Sequence, residues 1–178
     1  ASVRSLTTRF YLQRRAVRVP EDLSVANHQH SEQDFAEVAC AFPLDQDNML
    51  KLDDGCQVFS FLPICTSGLR FVLHADFDIV AGRDDVMEGS SWNTWLCQEA
   101  ARMFAEAARC GFDGLHGASS MWPALIPLPG DVRVSALRPF VQHLLACLAS
   151  CQCIPVRAEP PRLSYPSGVL LCSKVFSS

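Results

Sequence analysis

The sequence predicts an α/β (α+β) domain in which helices pack on one face of a mixed sheet. Three observations predict it. In residues 69–80, Leu69, Phe71, Leu73, Ala75, Phe77 and Ile79 share one face, while Arg70, His74, Asp76 and Asp78 share the other. That is the period-two pattern of a half-buried strand. Next, Trp92, Leu96, Glu99 or Ala100, Met103, Phe104 and Ala107 recur at helical spacing. Short runs rich in β-branched and aromatic residues, cut by proline or glycine, flank this pair on both sides.

The remaining elements follow in order. Residues 8–19 mix β-branched, aromatic and basic side chains up to Pro20 and predict a strand. The polar stretch 21–34, with Asn27-His28-Gln29-His30 at its centre, predicts a loop or short excursion. Residues 35–44 predict a second strand stopped near Pro43, followed by an acidic turn over 45–55. A third strand, 58–62, closes at Pro63. The alternating strand breaks at Ala81-Gly82-Arg83, where glycine permits a change of direction. Ser90 or Ser91 caps the helix that runs to Gly111. Residues 113–131 predict irregular chain with a short apolar piece at 124–126. A second helix covers 135–152, turning Leu137, Phe140, Val141, Leu144, Leu145 and Leu148 inward. Residues 153–156 and 168–175 predict two last strands around a proline-rich link, 159–166.

Composition narrows the class. A chain of 178 residues matches one domain, 1–178. Its start at Ala1-Ser2-Val3-Arg4 reads as a piece cut from a larger protein, without a signal-peptide pattern. With 49% hydrophobic and 19% charged residues, some apolar surface is predicted to be covered by a neighbouring domain or subunit. No apolar run reaches a membrane span. The net charge of −4 argues against nucleic acid as the main partner. Arg4, Arg9, Arg14, Arg15 and Arg18 gather near the start, as a solvated strand face or, less simply, a phosphate-binding stripe. The nine cysteines fall mostly in apolar segments, favouring reduced thiols in a cytoplasmic or nuclear protein over a disulfide scaffold.

Catalytic signatures are missing. No glycine-rich phosphate loop is present, and Asp53-Asp54-Gly55 is a turn. No Gly-x-Ser-x-Gly elbow occurs. His143, Cys147 and Cys151 stand four apart with Cys153 just beyond, a spacing that suits either zinc or an apolar helix face. His28 and His30 form half a metal site or two solvated histidines. An autonomous Cys/His or zinc enzyme therefore remains an alternative reading, with core packing and solvation favoured.

Within 58–110 the sequence carries a specific motif series. It reads Val58-Phe59-Ser60-Phe61-Leu62-Pro63, Ser67-Gly68-Leu69-Arg70-Phe71-Val72-Leu73, Ala75-Asp76-Phe77-Asp78-Ile79, Arg83-Asp84-Asp85-Val86 and Ser91-Trp92-Asn93-Thr94-Trp95-Leu96. This series resembles the region that follows the GHKL ATPase domain in the family of sacsin and NO VEIN-like proteins. Residues 19–23 and 39–44, and more weakly 155–172, resemble it too. The family has a serine pair before the arginine and glutamate after it; here Ala81-Gly82 and Asp84 stand instead.

The resemblance implies a fold similar to the middle domain of heat-shock protein 90, in which an arginine reaches into a neighbouring ATP site. It implies a non-catalytic coupling module whose Arg83 contacts the γ-phosphate of ATP, with its magnesium, held by an adjacent GHKL domain. Asp76, Asp84 and Asn93 would support the arginine loop. The chain itself would bind no cofactor. Its partners would be the adjacent ATPase domain and protein clients or a scaffold, giving a chaperone-like role. The bland reading pairs Arg83 with Asp84, Asp85 or Asp78 on a surface turn, and makes the chain a pure protein-interaction domain. Trp92 and Trp95 are predicted to pack on the sheet.

Overall fold

The computed structural model describes residues 8–26, 30, 33–110, 112, 114–115, 121–128, 130–156 and 162–168. The elements are β1 (Arg9–Arg18), α1 (Glu21–Ala26), β2 (Phe35–Leu44), β3 (Gln57–Ser60), β4 (Leu62–Thr66), β5 (Val72–Ala75), α2 (Ser91–Arg109), α3 (Arg138–Ala149), β6 (Ile154–Val156) and β7 (Arg162–Ser164). Short 3₁₀ turns lie at Trp122–Leu125, Ser135–Leu137 and Pro166–Gly168. Five strands form a mixed sheet ordered β1-β2-β5-β3-β4, and β6 with β7 forms a separate ribbon. All pairs are antiparallel except β3 with β5. The predicted fold class is therefore the observed one.

Register sorts the side chains. Tyr11, Val17, Ala36, Val38, Cys40, Phe42, Leu73 and Ala75 point to the helices and join the core. The predicted alternation holds in burial from Leu69 to Phe77. The helix predicted from Ser90 onward also holds: the Ser90 side chain caps it by accepting from the Asn93 amide. Its stripe of Trp92, Leu96, Ala100, Met103, Phe104 and Ala107 is buried. Phe42 links the two layers, with ring centroids 5.2 Å from Phe71 and 5.5 Å from Phe104. Phe140 brings α3 in, 5.8 Å from Phe71. Aromatic pairs at these separations add about 0.5–1.5 kcal/mol each beyond their buried area.

Several expectations are corrected. Pro20, Glu21 and Asp22 start a short helix where a loop is predicted, because proline fixes φ and carboxylates suit a helix N-terminus. The third strand ends at Ser60, and the chain reverses at Phe61, φ 59°, into β4. The second strand, by contrast, spans Phe35–Leu44 and ends one residue past Pro43, as predicted. Leu145 faces solvent, 44% exposed. β7 lies inside the link predicted to be irregular. The strand predicted over 168–175 falls, from 169 on, outside the described residues.

Candidate functional site

β5 leads out of the sheet through Asp76, Phe77 and Asp78 into a hairpin. Ile79 bridges Val86, and the Val80 amide donates to the Asp85 carbonyl at 3.1 Å. The Arg83 amide donates back to Val80 O at 2.9 Å, closing a tight turn through Ala81 and Gly82. Arg83 itself has φ 57°. This left-handed conformation costs a non-glycine residue about 1–2 kcal/mol. Its side chain is exposed, and among the described residues it makes no ion pair.

The acids near Arg83 in sequence are turned to other work. Asp84 Oδ1 lies 2.8 Å from the place a Cβ on Gly82 would occupy, so glycine there gives the carboxylate its space. Asp85 Oδ1 accepts from the Val86 amide at 2.8 Å and meets the Cys65 thiol at 3.9 Å. Asp78 is buried beneath the hairpin. The predicted turn-capping ion pair is therefore absent among the described residues, and the guanidinium stands free at the tip.

Asn93 holds both ends of the hairpin. Its Oδ1 accepts from the Asp78 amide at 2.8 Å, while Nδ2 donates to Asp78 O at 2.8 Å and Met87 O at 2.9 Å. The Met87 amide also donates to Asp78 O at 2.9 Å. Below the hairpin, Asp78 accepts from the Ser90 hydroxyl at 2.8 Å, and its other oxygen meets His30 Nε2 at 2.8 Å. The His30 ring lies 3.9 Å from Trp92 and within 4° of parallel, with Nδ1 3.1 Å from Gln33 Oε1. Trp92 Nε1 donates to Asp76 O at 2.7 Å. Buried polar groups satisfied in this way rigidify what they hold.

The predicted site residues thus divide. Asn93 is brought to the arginine hairpin as a clamp on its base. Asp84 sits in the hairpin, exposed. Asp76 is not brought to Arg83: one carboxylate oxygen is 3.4 Å from the Glu37 amide, and the other has no partner among the described residues. Sequence reasoning placed His30 in solvent and Asp78 on a polar strand face, whereas both are buried. The one available signal was the capping serine before Trp92-Asn93, which marks a polar junction. His28 lies outside the described residues.

Two of the buried thiols are shaped by their surroundings. Burial pushes Cys97 up to about 12 and Cys56 up to about 11, the direction opposite to that of a nucleophilic thiolate. Among the described residues no three His, Cys, Asp or Glu side chains group to hold a metal. No helix among them is long and apolar enough to cross a membrane.

Comparison with known proteins finds one related chain of clear similarity. The sequence is 35% identical over 148 residues to Protein NO VEIN of Arabidopsis thaliana. The match covers 75% of this chain and 5% of that protein, so the chain is similar to a small part of a much longer polypeptide. No family model matches the chain. No solved structure matches it. A NO VEIN-like relation, the coarser part of the resemblance read from residues 58–96, is therefore supported.

Proposed function

We propose that this chain is a non-catalytic coupling module of a NO VEIN-like protein, which presents Arg83 to the phosphates of ATP bound, with magnesium, by an adjacent GHKL-type domain. The observation that carries the reading is a guanidinium that makes no ion pair among the described residues, at an exposed hairpin tip whose base is clamped by buried Asn93. A planar guanidinium offers fixed donors to phosphate oxygens, and phosphoryl transfer spreads charge over those oxygens. A donor held in advance of the reaction needs no reorganisation when the charge develops. The left-handed backbone at Arg83 is strain at an exposed position, the kind that collects where function requires a particular display.

In this reading the chain's other output is mechanical: docking on ATP-bound neighbour moves clients or a scaffold, a chaperone-like role. The test is ATP turnover by the longer protein that contains both domains. Arg83→Ala slows turnover about 10²–10³-fold, the cost of removing one preorganised donor. Unchanged turnover removes the coupling role and leaves a protein-interaction domain.

A further inference from the structure

At the end of α3 three donors meet one carbonyl. Leu148 O accepts from the Cys151 amide at 3.2 Å, and the Cys151 and Cys153 sulfurs lie 3.6 and 3.8 Å from it. The last carbonyls of a helix lack intrahelical donors, so the two thiols serve here as weak caps. Capping alone does not call for sulfur. In the same turn the Ser150 hydroxyl caps Ala146 O at 2.9 Å, and a hydroxyl is the stronger donor.

What sulfur adds is the pair. Two sulfurs that close to one oxygen are neighbours, and Cys153 also interacts directly with the Cys151 side chain, by hydrogen bonding and by charge. Only Gln152 separates the two residues. Two peptide units span at most about 7 Å, and disulfide-bonded Cα atoms lie about 4.4–6.8 Å apart, so closure takes side-chain rotation with little backbone movement. Access is ordered: Cys151 is half-buried and Cys153 fully buried. Among the described residues Cys147, one turn earlier, does not share the Leu148 carbonyl, and charge alone links it to Cys151.

We infer that Cys151 and Cys153 form a reversible dithiol–disulfide site at the C-terminus of α3, oxidised by low-molecular-weight disulfides. The Cys151 thiolate attacks one sulfur of the external disulfide, whose S–S bond breaks. One small thiolate leaves, and a mixed disulfide remains on Cys151. Cys153 then gives its proton to water and attacks the Cys151 sulfur, releasing the second small thiolate. The two cysteines lose two electrons, the external disulfide gains them, and two protons end on the released thiols. Burial, and the Cys151 side chain beside it, push the Cys153 thiol up. The second step is therefore the slow one at neutral pH and quickens as pH rises. The closed ring ties the last turn of α3 to the residue that enters β6. Arg83 takes no part, so this inference stands apart from the ATP reading.

The test incubates the purified chain in mixtures of oxidised and reduced glutathione, traps thiols by alkylation and maps them by mass spectrometry. In the native chain Cys151 and Cys153 escape alkylation as one intramolecular disulfide, Cys147 is alkylated, and excess reduced glutathione reopens the ring. Cys153→Ser, which keeps a donor for Leu148 O, stops at the glutathione mixed disulfide on Cys151. Cys147→Ser leaves closure unchanged. The ratio of closed to mixed disulfide is about tenfold higher in the native chain than in urea, where the shared carbonyl no longer gathers the thiols. That comparison needs no variant. Absence of closure in the native chain, a disulfide that joins Cys151 or Cys153 to any other cysteine, or an equal ratio in native and urea-unfolded chain overturns the inference.

Discussion

Replacing Arg83 by glycine separates a residue kept for its charge from one kept for its fold. Arg83 occupies φ 57° at the turn through Ala81 and Gly82. An L-residue there costs about 1–2 kcal/mol, and glycine removes that cost. Against the gain, glycine's freedom in the unfolded chain costs about 0.4–1 kcal/mol. Arg83→Gly should therefore leave stability unchanged or raise it by up to about 1.6 kcal/mol, a Tm rise of up to about 6 °C for a chain of this size. Arg83→Ala keeps the strained Cβ and should lie within about 0.5 kcal/mol of the native chain. Urea midpoints of the three proteins measure the difference, and turnover by the ATPase-containing protein measures the function. Both substitutions should lower turnover about 10²–10³-fold, although one of them stabilises the fold. If both destabilise the chain by more than about 1 kcal/mol, Arg83 serves as a structural cap and the argument from its free guanidinium fails.

Asn93→Ala deletes the amide that clamps Asp78 and Met87 and should cost about 2–4 kcal/mol by leaving buried backbone groups unpaired. A urea midpoint gives the loss, and faster hydrogen exchange at residues 79–87 locates it. Gly68→Ala should prevent folding or cost more than about 3 kcal/mol, since Gly68 has φ 82° and an added Cβ would lie 1.9 Å from Asp131 O; circular dichroism and thermal melting decide it. Alkaline pH should weaken the fold through Cys97. Its folded value lies near 12, above that of the unfolded thiol, so its contribution is whole below about pH 9 and is lost as pH rises towards 12. The loss is on the order of 1–2 kcal/mol at pH 10, and Cys97→Ala should flatten that slope in urea titrations at pH 7 and pH 10.

What the sequence showed was whatever is periodic and local. The alternation through Leu69–Phe77 and the helix over 91–109 both rest on many side chains that repeat one message, so single exceptions do not obscure them. Leu145 was misplaced because an apolar residue beside the inward stripe reads as core, although it is exposed. The hairpin of β3 and β4 was hidden because phenylalanine occupies its left-handed position at residue 61, where glycine or asparagine would have announced a turn. The buried junction was hidden for a different reason: His30 and Asp78 are 48 residues apart, and no local pattern records such a pairing. Arg83 came into view through the resemblance, not through spacing or periodicity.

The strained tip persists because its base is over-determined. Asn93 lies within α2, whose Trp92, Leu96 and Phe104 are fully buried, so the clamp on Asp78 and Met87 inherits the rigidity of the core. Trp92 adds two further ties, donating to Asp76 O and stacking on His30. The departures from the family pattern at Ala81-Gly82 and Asp84 then have a local physical account. A side chain at residue 82 would collide with the Asp84 carboxylate, so serine there would force that carboxylate away from its present place. Glycine at 82 and aspartate at 84 fit one another. The turn they form directs residue 83 outward, to an exposed position at the hairpin tip.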